Sequence, residues 1–246
     1  GASALSDDDL ALLVRWLNPV YLSEAAWPRV QARFEEDGSV QLHNFLKKGL
    51  AEQIMAGCLA EDAADGLGAK QLPRYEAGVR DGWGPVGPPH KQRYLRYGPA
   101  PEAATTNGSD SANGHTPAAA PAPAASAGAL LERVRRELLC SGAFCRLLKA
   151  LTSITLLGQT GEVRRFRPGL DYTVAHYGIM TTDPRLDVVL TFVNDATDEA
   201  ASAWQAGEVG GFEAYLLADE EGPEGGGGAA EVYRVNVGGG GERGGE

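Results

Sequence analysis

Cysteine is scarce in this sequence. Cys58, Cys140 and Cys145 are the only three in 246 residues, an odd number with irregular spacing and no CxxC pair. A reducing compartment fits that count better than a disulfide scaffold does. Long apolar runs are also missing, so no segment is long enough to span a bilayer, and no signal peptide is evident. Positive charge is in deficit, with 22 Lys and Arg against 33 Asp and Glu, a net charge of −11. That balance removes the broad electrostatic footprint that nucleic-acid binding requires. Histidine is limited to His43, His90, His115 and His176, and none follows His176. What remains is 43% hydrophobic residues, enough for one sizeable core or two small ones.

Ser6 followed by Asp7, Asp8 and Asp9 reads as a capping box with Asp in the Glu position. Leu10, Leu13 and Leu17 continue it at helical spacing as far as Asn18-Pro19. A second helix is predicted from Pro28 to Glu36, then a strand in "SVQLHNFL", then a helix "LKKGLAEQIMAGCLAE" with Leu50, Ile54 and Leu59 inward. These form the opening part of the domain, 1–97. Residues 98–128 contain no aromatic residue and no Val, Ile, Leu or Met, which predicts a disordered low-complexity insertion.

The segment 129–237 is read as a long helix followed by a β core, and 238–246 as a flexible Gly-rich end. The helix is "ALLERVRRELLCSGAFCRLLKAL", with Leu131, Val134, Leu138, Phe144, Leu148 and Leu151 as its apolar stripe. Six short β-type runs follow: "ITLLG", "EVRRF", "LDYTVAH", "LDVVLTFV", "GFEAYLLA" and "EVYRVNV". Turn residues separate them, which predicts an antiparallel sandwich or barrel covered on one sheet by helices. The first and last residues, "GASALSDDDL" and "GGGGERGGE", lead us to expect a fragment of a longer protein.

Single residues attract competing readings. His43 alternates outward on the predicted strand, and His115 falls in the insertion. His90, Lys91, Arg93 and Arg96 in and after "GPPHKQRY" form a candidate basic interaction surface, or else a Pro-Pro turn leading into a solvated strand. Trp16 and Tyr21 are hydrophobic anchors beside a helix stop. Gly210-Gly211 reads as a strand-opening turn, not a phosphate loop, because no helix and no Lys-Ser/Thr follows. Arg234 has no motif around it. No nucleophile, histidine and acid form a trio.

Leu186 to Asn194, Trp204 and Gly210-Gly211-Phe212 resemble the double-stranded β-helix of 2-oxoglutarate/Fe(II) oxygenases of the prolyl hydroxylase type. The stretches "WLNPVYL", "GPPHKQRY", "GEVRRFRPGLDYTVAH" and "GGFEAYLL" look more specifically like the C-terminal domain of two-domain prolyl hydroxylases. Those enzymes act on a small-subunit ribosomal protein. The resemblance implies an α+β, mainly β fold, a jelly-roll-like double-stranded β-helix with helices packed on one sheet. It also implies a parent dioxygenase with Fe(II), 2-oxoglutarate and ascorbate as cofactors. The partners implied are an N-terminal catalytic domain of the same polypeptide and a ribosomal protein substrate.

An iron site of that family needs two histidines and a carboxylate on one face of the metal. In the position of the family's His-x-Asp stands His176-Tyr177-Gly178. Gly178 supplies no ligand, so His176 reads as a degenerate remnant, and we expect no metal, cofactor or catalytic residue in this chain. A distal histidine beyond residue 246 would not restore the carboxylate. The chain then reads as a non-catalytic companion domain, inactive alone. The alternatives are an independent oxygenase with an atypical iron site and an interaction module with no enzyme attached.

Overall fold

Ser6 starts the first helix as its sequence dictates. In the computed structural model, α1 spans Asp7–Leu13, the Ser6 hydroxyl accepts from the Asp9 N–H at 3.2 Å, and the Ser6 N–H donates to the Asp9 carboxylate at 3.1 Å. Both halves of the capping box are thus closed. The structure describes residues 4–67, 72–98, 126–174, 185–193 and 202, and the strand backbone at 213–216 and 231–234. Contacts divide the chain into two units, Gly1–Val174 and Ala175–Glu246.

In the first unit, α1 stops at Leu13, ahead of Asn18-Pro19. That pair opens a 3₁₀ turn, Pro19–Leu22, in which the Asn18 side chain accepts from the Val20 N–H. Helix α2 covers Trp27–Asp37 with Pro28 in its first turn, and Gly38 closes it at φ 68°. The predicted strand at 39–46 does not form. Asn44 takes a left-handed φ of 52°, which breaks the extended run, and the backbone at Phe45 and Lys47 pairs with Asn18 and Trp16. Only Leu46 bridges, to Leu17. Helix α3, Lys48–Ala64, buries Ile54 completely and Leu50 and Leu59 halfway.

Four strands form an antiparallel sheet: β1 Trp83–Val86, β2 Gln92–Tyr97, β3 Val163–Arg165 and β4 Tyr172–Thr173. β2 is central, paired with β1, β3 and β4. Alternation along β2 sends Leu95 and Tyr97 to one face, where they meet Trp83, Val163 and Leu131. Trp83 and Tyr97 contact edge to face, 5.2 Å between centroids. β1 has no counterpart among the predicted strands, because "WGPV" carries a Gly and a Pro. Pro85 is tolerated on a strand at the sheet edge. β2 is the strand expected after the Pro-Pro turn, but it is not solvated: Tyr94 and Leu95 are buried.

The single long helix of the sequence reading is two. Helix α4 covers Ala127–Val134, a π-turn covers Arg135–Leu139, and α5 covers Gly142–Thr152. Ser141 makes the break, accepting from the Phe144 N–H at 3.1 Å while its hydroxyl donates to the Leu138 carbonyl at 2.7 Å. Val134, Leu138, Phe144 and Leu151 of the expected stripe are buried on both sides of that break. Leu130 and Leu147 are buried, while Leu131 and Leu148 are only half so. The predicted insertion also ends earlier than residue 128. Ser126 caps α4 by accepting from the Ala129 N–H, and Ala127 and Gly128 are buried. Residues 99–125 lie outside the described residues.

Helix α5 ties the helical layer together. It packs on α1 and α2. Arg146 of α5 pairs with Asp9 of α1, and Phe144 meets Phe45 edge-on at 6.2 Å. The guanidinium of Arg146 hydrogen-bonds the Asp9 carboxyl and holds it far below the usual carboxylate range.

The run "ITLLG" is not a strand. Ser153 turns left-handed at φ 62° to end α5, the Thr152 hydroxyl accepts from the Ile154 N–H, and Leu157 is fully exposed. In the second unit, 185–193 of "LDVVLTFV" and its flank form no strand, and Val188 and Val189 are exposed. The last two runs do pair: β5 Glu213–Leu216 and β6 Glu231–Arg234 are antiparallel, with Glu213 opposite Arg234. His176, Gly178, Trp204 and Gly210-Gly211 lie outside the described residues.

Candidate functional site

The two histidines among the described residues do not converge. His43 sits exposed in the turn before Leu46, and His90 is exposed in the turn between β1 and β2. His115 and His176 lie outside the described residues. Among the described residues, no three of His, Cys, Asp and Glu gather into a set that can hold a metal. Cys58, Cys140 and Cys145 are free thiols. Burial, followed by the nearby Asp62 and Glu61, pushes the Cys58 thiol up to about 11, so it stays protonated and unreactive near neutrality.

The chemistry that is present centres on arginines in "EVRRFRPGLDYT". Arg165 of β3 reaches down to α3, where it pairs with Asp62 and Asp65, each at 2.7 Å. Arg80 pairs with Asp65 at 2.9 Å. Burial opposes the charge on Arg165, but the hydrogen bonds to both aspartates outweigh it and the net shift is upward. Beside this network lies a cleft of about 280 Å³ lined by Glu61, Asp65, Arg80, Trp83, Ala127 and Arg165. Glu61 accepts from the Trp83 indole at 3.0 Å and from the Ala127 N–H at 2.8 Å. Its carboxylate thereby sits at the positive end of α4. The cleft's charges are paired: Arg80 and Arg165 with Asp65, and Arg80 also with Asp81. Its role is to fasten α3, α4 and the sheet together.

Arg167 is the most deeply buried charged residue among the described residues, 1% exposed. Its guanidinium donates to the Asp171 carboxylate at 2.8 and 2.9 Å and to the carbonyls of Tyr75 and Ala77, each at 2.7 Å. The Asp171 carboxylate also accepts from the Arg167 N–H. This arrangement satisfies a buried ion pair and staples residues 75–77 to the turn between β3 and β4.

The four residues of the candidate basic surface are not brought together. His90 and Lys91 are exposed in the turn. Arg93 faces inward, donating to the Leu170 carbonyl, 3.7 Å from Asp171, and packed 5.4 Å from both the Tyr75 and Tyr172 rings. Arg96 lies three residues on and so points to the opposite face of β2. There it stands across from Arg164, with Glu162 at 3.9 Å. Sequence reasoning missed Arg164, Arg165 and Arg167. Their spacing in a β-type run, with Asp171 four residues after Arg167, was the signal available.

The family described as oxoglutarate and iron-dependent oxygenase degradation C-term matches residues 8–241. The chain is also 34% identical, over 204 residues, to a prolyl 3,4-dihydroxylase from Ostreococcus tauri. That alignment covers 83% of this chain and 35% of the relative, so the chain corresponds to about a third of the relative's length.

Proposed function

The chain belongs to the oxoglutarate and iron-dependent oxygenase degradation C-terminal family, and on that footing we propose that it is the non-catalytic C-terminal domain of a longer dioxygenase. The parent hydroxylates a prolyl residue of a ribosomal protein, using Fe(II), 2-oxoglutarate and ascorbate bound in an N-terminal catalytic domain of the same polypeptide. This chain binds none of them. Its work is to pack on the catalytic domain and to position protein substrate, and through it the parent influences translation. The observation that carries the reading is Gly178, which stands where the resemblance calls for the iron-binding carboxylate. The dioxygenase of Ostreococcus tauri, which is longer than the region matched, supports the parent activity.

The proposed fold is a double-stranded β-helix, mainly β, with helices on one sheet. Its support is the antiparallel pairing of all described strands and the packing of α4 on one face of the β1–β4 sheet. The proposed location is cytoplasm or nucleus, supported by three free thiols. No helix among the described residues is long and apolar enough to cross a membrane.

The test is a mass-spectrometric hydroxylation assay on a proline-containing ribosomal-protein peptide, with Fe(II), 2-oxoglutarate and ascorbate. The isolated chain leaves the peptide unmodified, and the longer polypeptide adds one oxygen to proline. Hydroxylation by the isolated chain refutes the companion reading.

A further inference from the structure

We propose that Cys140 and Cys145 form a reversible oxidation site, a dithiol that a hydroperoxide converts to an intrachain disulfide. The proposal stands on this pair alone and does not depend on the companion-domain reading.

The break between α4 and α5 sets the two thiols face to face. Ser141 caps α5, so Cys140 stands one residue before the cap and Cys145 is the fourth residue of the helix. These are the two positions of a hydrophobic staple, whose side chains meet across the cap. The Cys145 N–H donates to the Ser141 carbonyl at 3.2 Å, which holds the first turn of α5 beside Cys140. One side chain then touches both residues. The Gln159 amide donates to the Cys140 carbonyl at 2.6 Å and accepts from the Cys145 thiol at 3.2 Å. Arg135 donates to the Cys140 sulfur at 3.6 Å and to the Gly161 carbonyl at 3.3 Å. Neither cysteine is sealed in the core: both are free and half-buried, and Gln159 beside them is exposed. Arg135, Cys140, Ser141, Cys145, Gln159 and Gly161 all lie among the described residues.

Arg135 sets a positive charge against the Cys140 sulfur, so this is the sulfur that attacks the hydroperoxide. The O–O bond breaks, the distal fragment leaves as an alcohol or water after taking a proton, and Cys140 becomes a sulfenic acid. The Cys145 sulfur then attacks the sulfenic sulfur. The S–O bond breaks, an S–S bond forms, and the hydroxyl leaves as water with the Cys145 proton. The two sulfurs give up two electrons, and the peroxide takes both. The new bond removes the thiol hydrogen that Gln159 accepts, so the connection from α5 to β3 loses one of its ties. A small thiol reverses the change by exchange.

The full chain, folded and reduced, is treated with hydrogen peroxide, blocked with N-ethylmaleimide and digested with trypsin. Both thiols fall in one tryptic peptide, residues 137–146, whose mass distinguishes every state. The peptide loses two hydrogens and takes up no maleimide, dithiothreitol restores both labels, and Cys58 keeps its own label throughout. The bond forms at least about threefold faster in the folded chain than in urea, because only the fold holds Arg135 against the sulfur. In Cys145→Ser, dimedone traps a sulfenic acid on Cys140. The proposal is overturned if both thiols of the folded chain still take maleimide, if the bond joins Cys58 or a second chain, or if the folded chain reacts no faster than the unfolded one. It is also overturned if dimedone finds no sulfenic acid on Cys140 in Cys145→Ser. The wild-type readings decide it even where that variant does not fold.

Discussion

Replacing Gly128 by alanine tests whether the residues just before α4's apolar stripe belong to the folded core. A Cβ built at Gly128 would lie 2.3 and 2.4 Å from Tyr97 ring carbons and 3.1 Å from the Trp83 ring. Those rings are locked against each other and under Leu131, so neither swings away freely. Overpacking of this kind costs about 1–3 kcal/mol, and an overlap of more than an ångström belongs at about the upper end. Helix propensity works the other way, favouring alanine over glycine by about 1 kcal/mol. The net is a loss of about 2 kcal/mol, or about 4–8 °C in melting temperature for a chain of this size. Two other glycines calibrate the series. Gly49 in α3 has nothing within 4 Å of a new Cβ, so Gly49→Ala stabilises by about 0.4–1 kcal/mol. Gly57 would meet the Ala127 Cβ at 3.2 Å, a contact tight enough to cancel the propensity gain. Differential scanning fluorimetry reads all three. A Gly128→Ala protein that melts higher, as Gly49→Ala does, refutes the packing argument and returns residues 126–128 to the insertion.

Three further outcomes follow from buried charge and thiol chemistry. Arg167→Met strands the Asp171 carboxylate and destabilises by about 3–5 kcal/mol in urea unfolding, while Arg167→Met/Asp171→Leu recovers much of that loss. Asp9 has a folded-state acidity held below the unfolded value of about 3.9, so its pairing with Arg146 contributes in full above about pH 4 and is lost as pH falls. The urea midpoint therefore drops on acidification, and it drops less in Asp9→Asn. Cys58 resists a disulfide-exchange reagent near neutral pH and reacts only as pH approaches its raised value of about 11. Fast labelling at pH 7, located by peptide mapping, contradicts this.

Local signals were legible where one residue type decides the geometry. Ser6 with Asp9, Pro28 in a first turn and Gly38 at a helix end each produced the structure their chemistry requires. The β-type runs at 162–166 and 170–176 also placed β3 and β4 correctly. Signals failed where two patterns overlapped. The apolar stripe ran unbroken through Ser141, hiding a break that only the serine's capping geometry creates. Val40 and Leu42 alternate as a strand does, yet no neighbour offers them a ladder, and Asn44 turns the chain away. "LDVVLTFV" has strand composition without pairing among the described residues. The four residues of the candidate basic surface are divided by the strand's geometry. Nearness in sequence put Arg93 and Arg96 together, and the pleat put them on opposite faces of β2. The family was legible because its motifs extend over most of the chain, so no single misread strand could remove the resemblance.

The most direct test of the companion-domain account is an anaerobic Fe(II) titration of the isolated chain, with and without 2-oxoglutarate, followed by calorimetry. The account predicts no stoichiometric heat and no change on adding 2-oxoglutarate. One Fe(II) bound per chain, tightened by 2-oxoglutarate and abolished by His176→Ala, would contradict it.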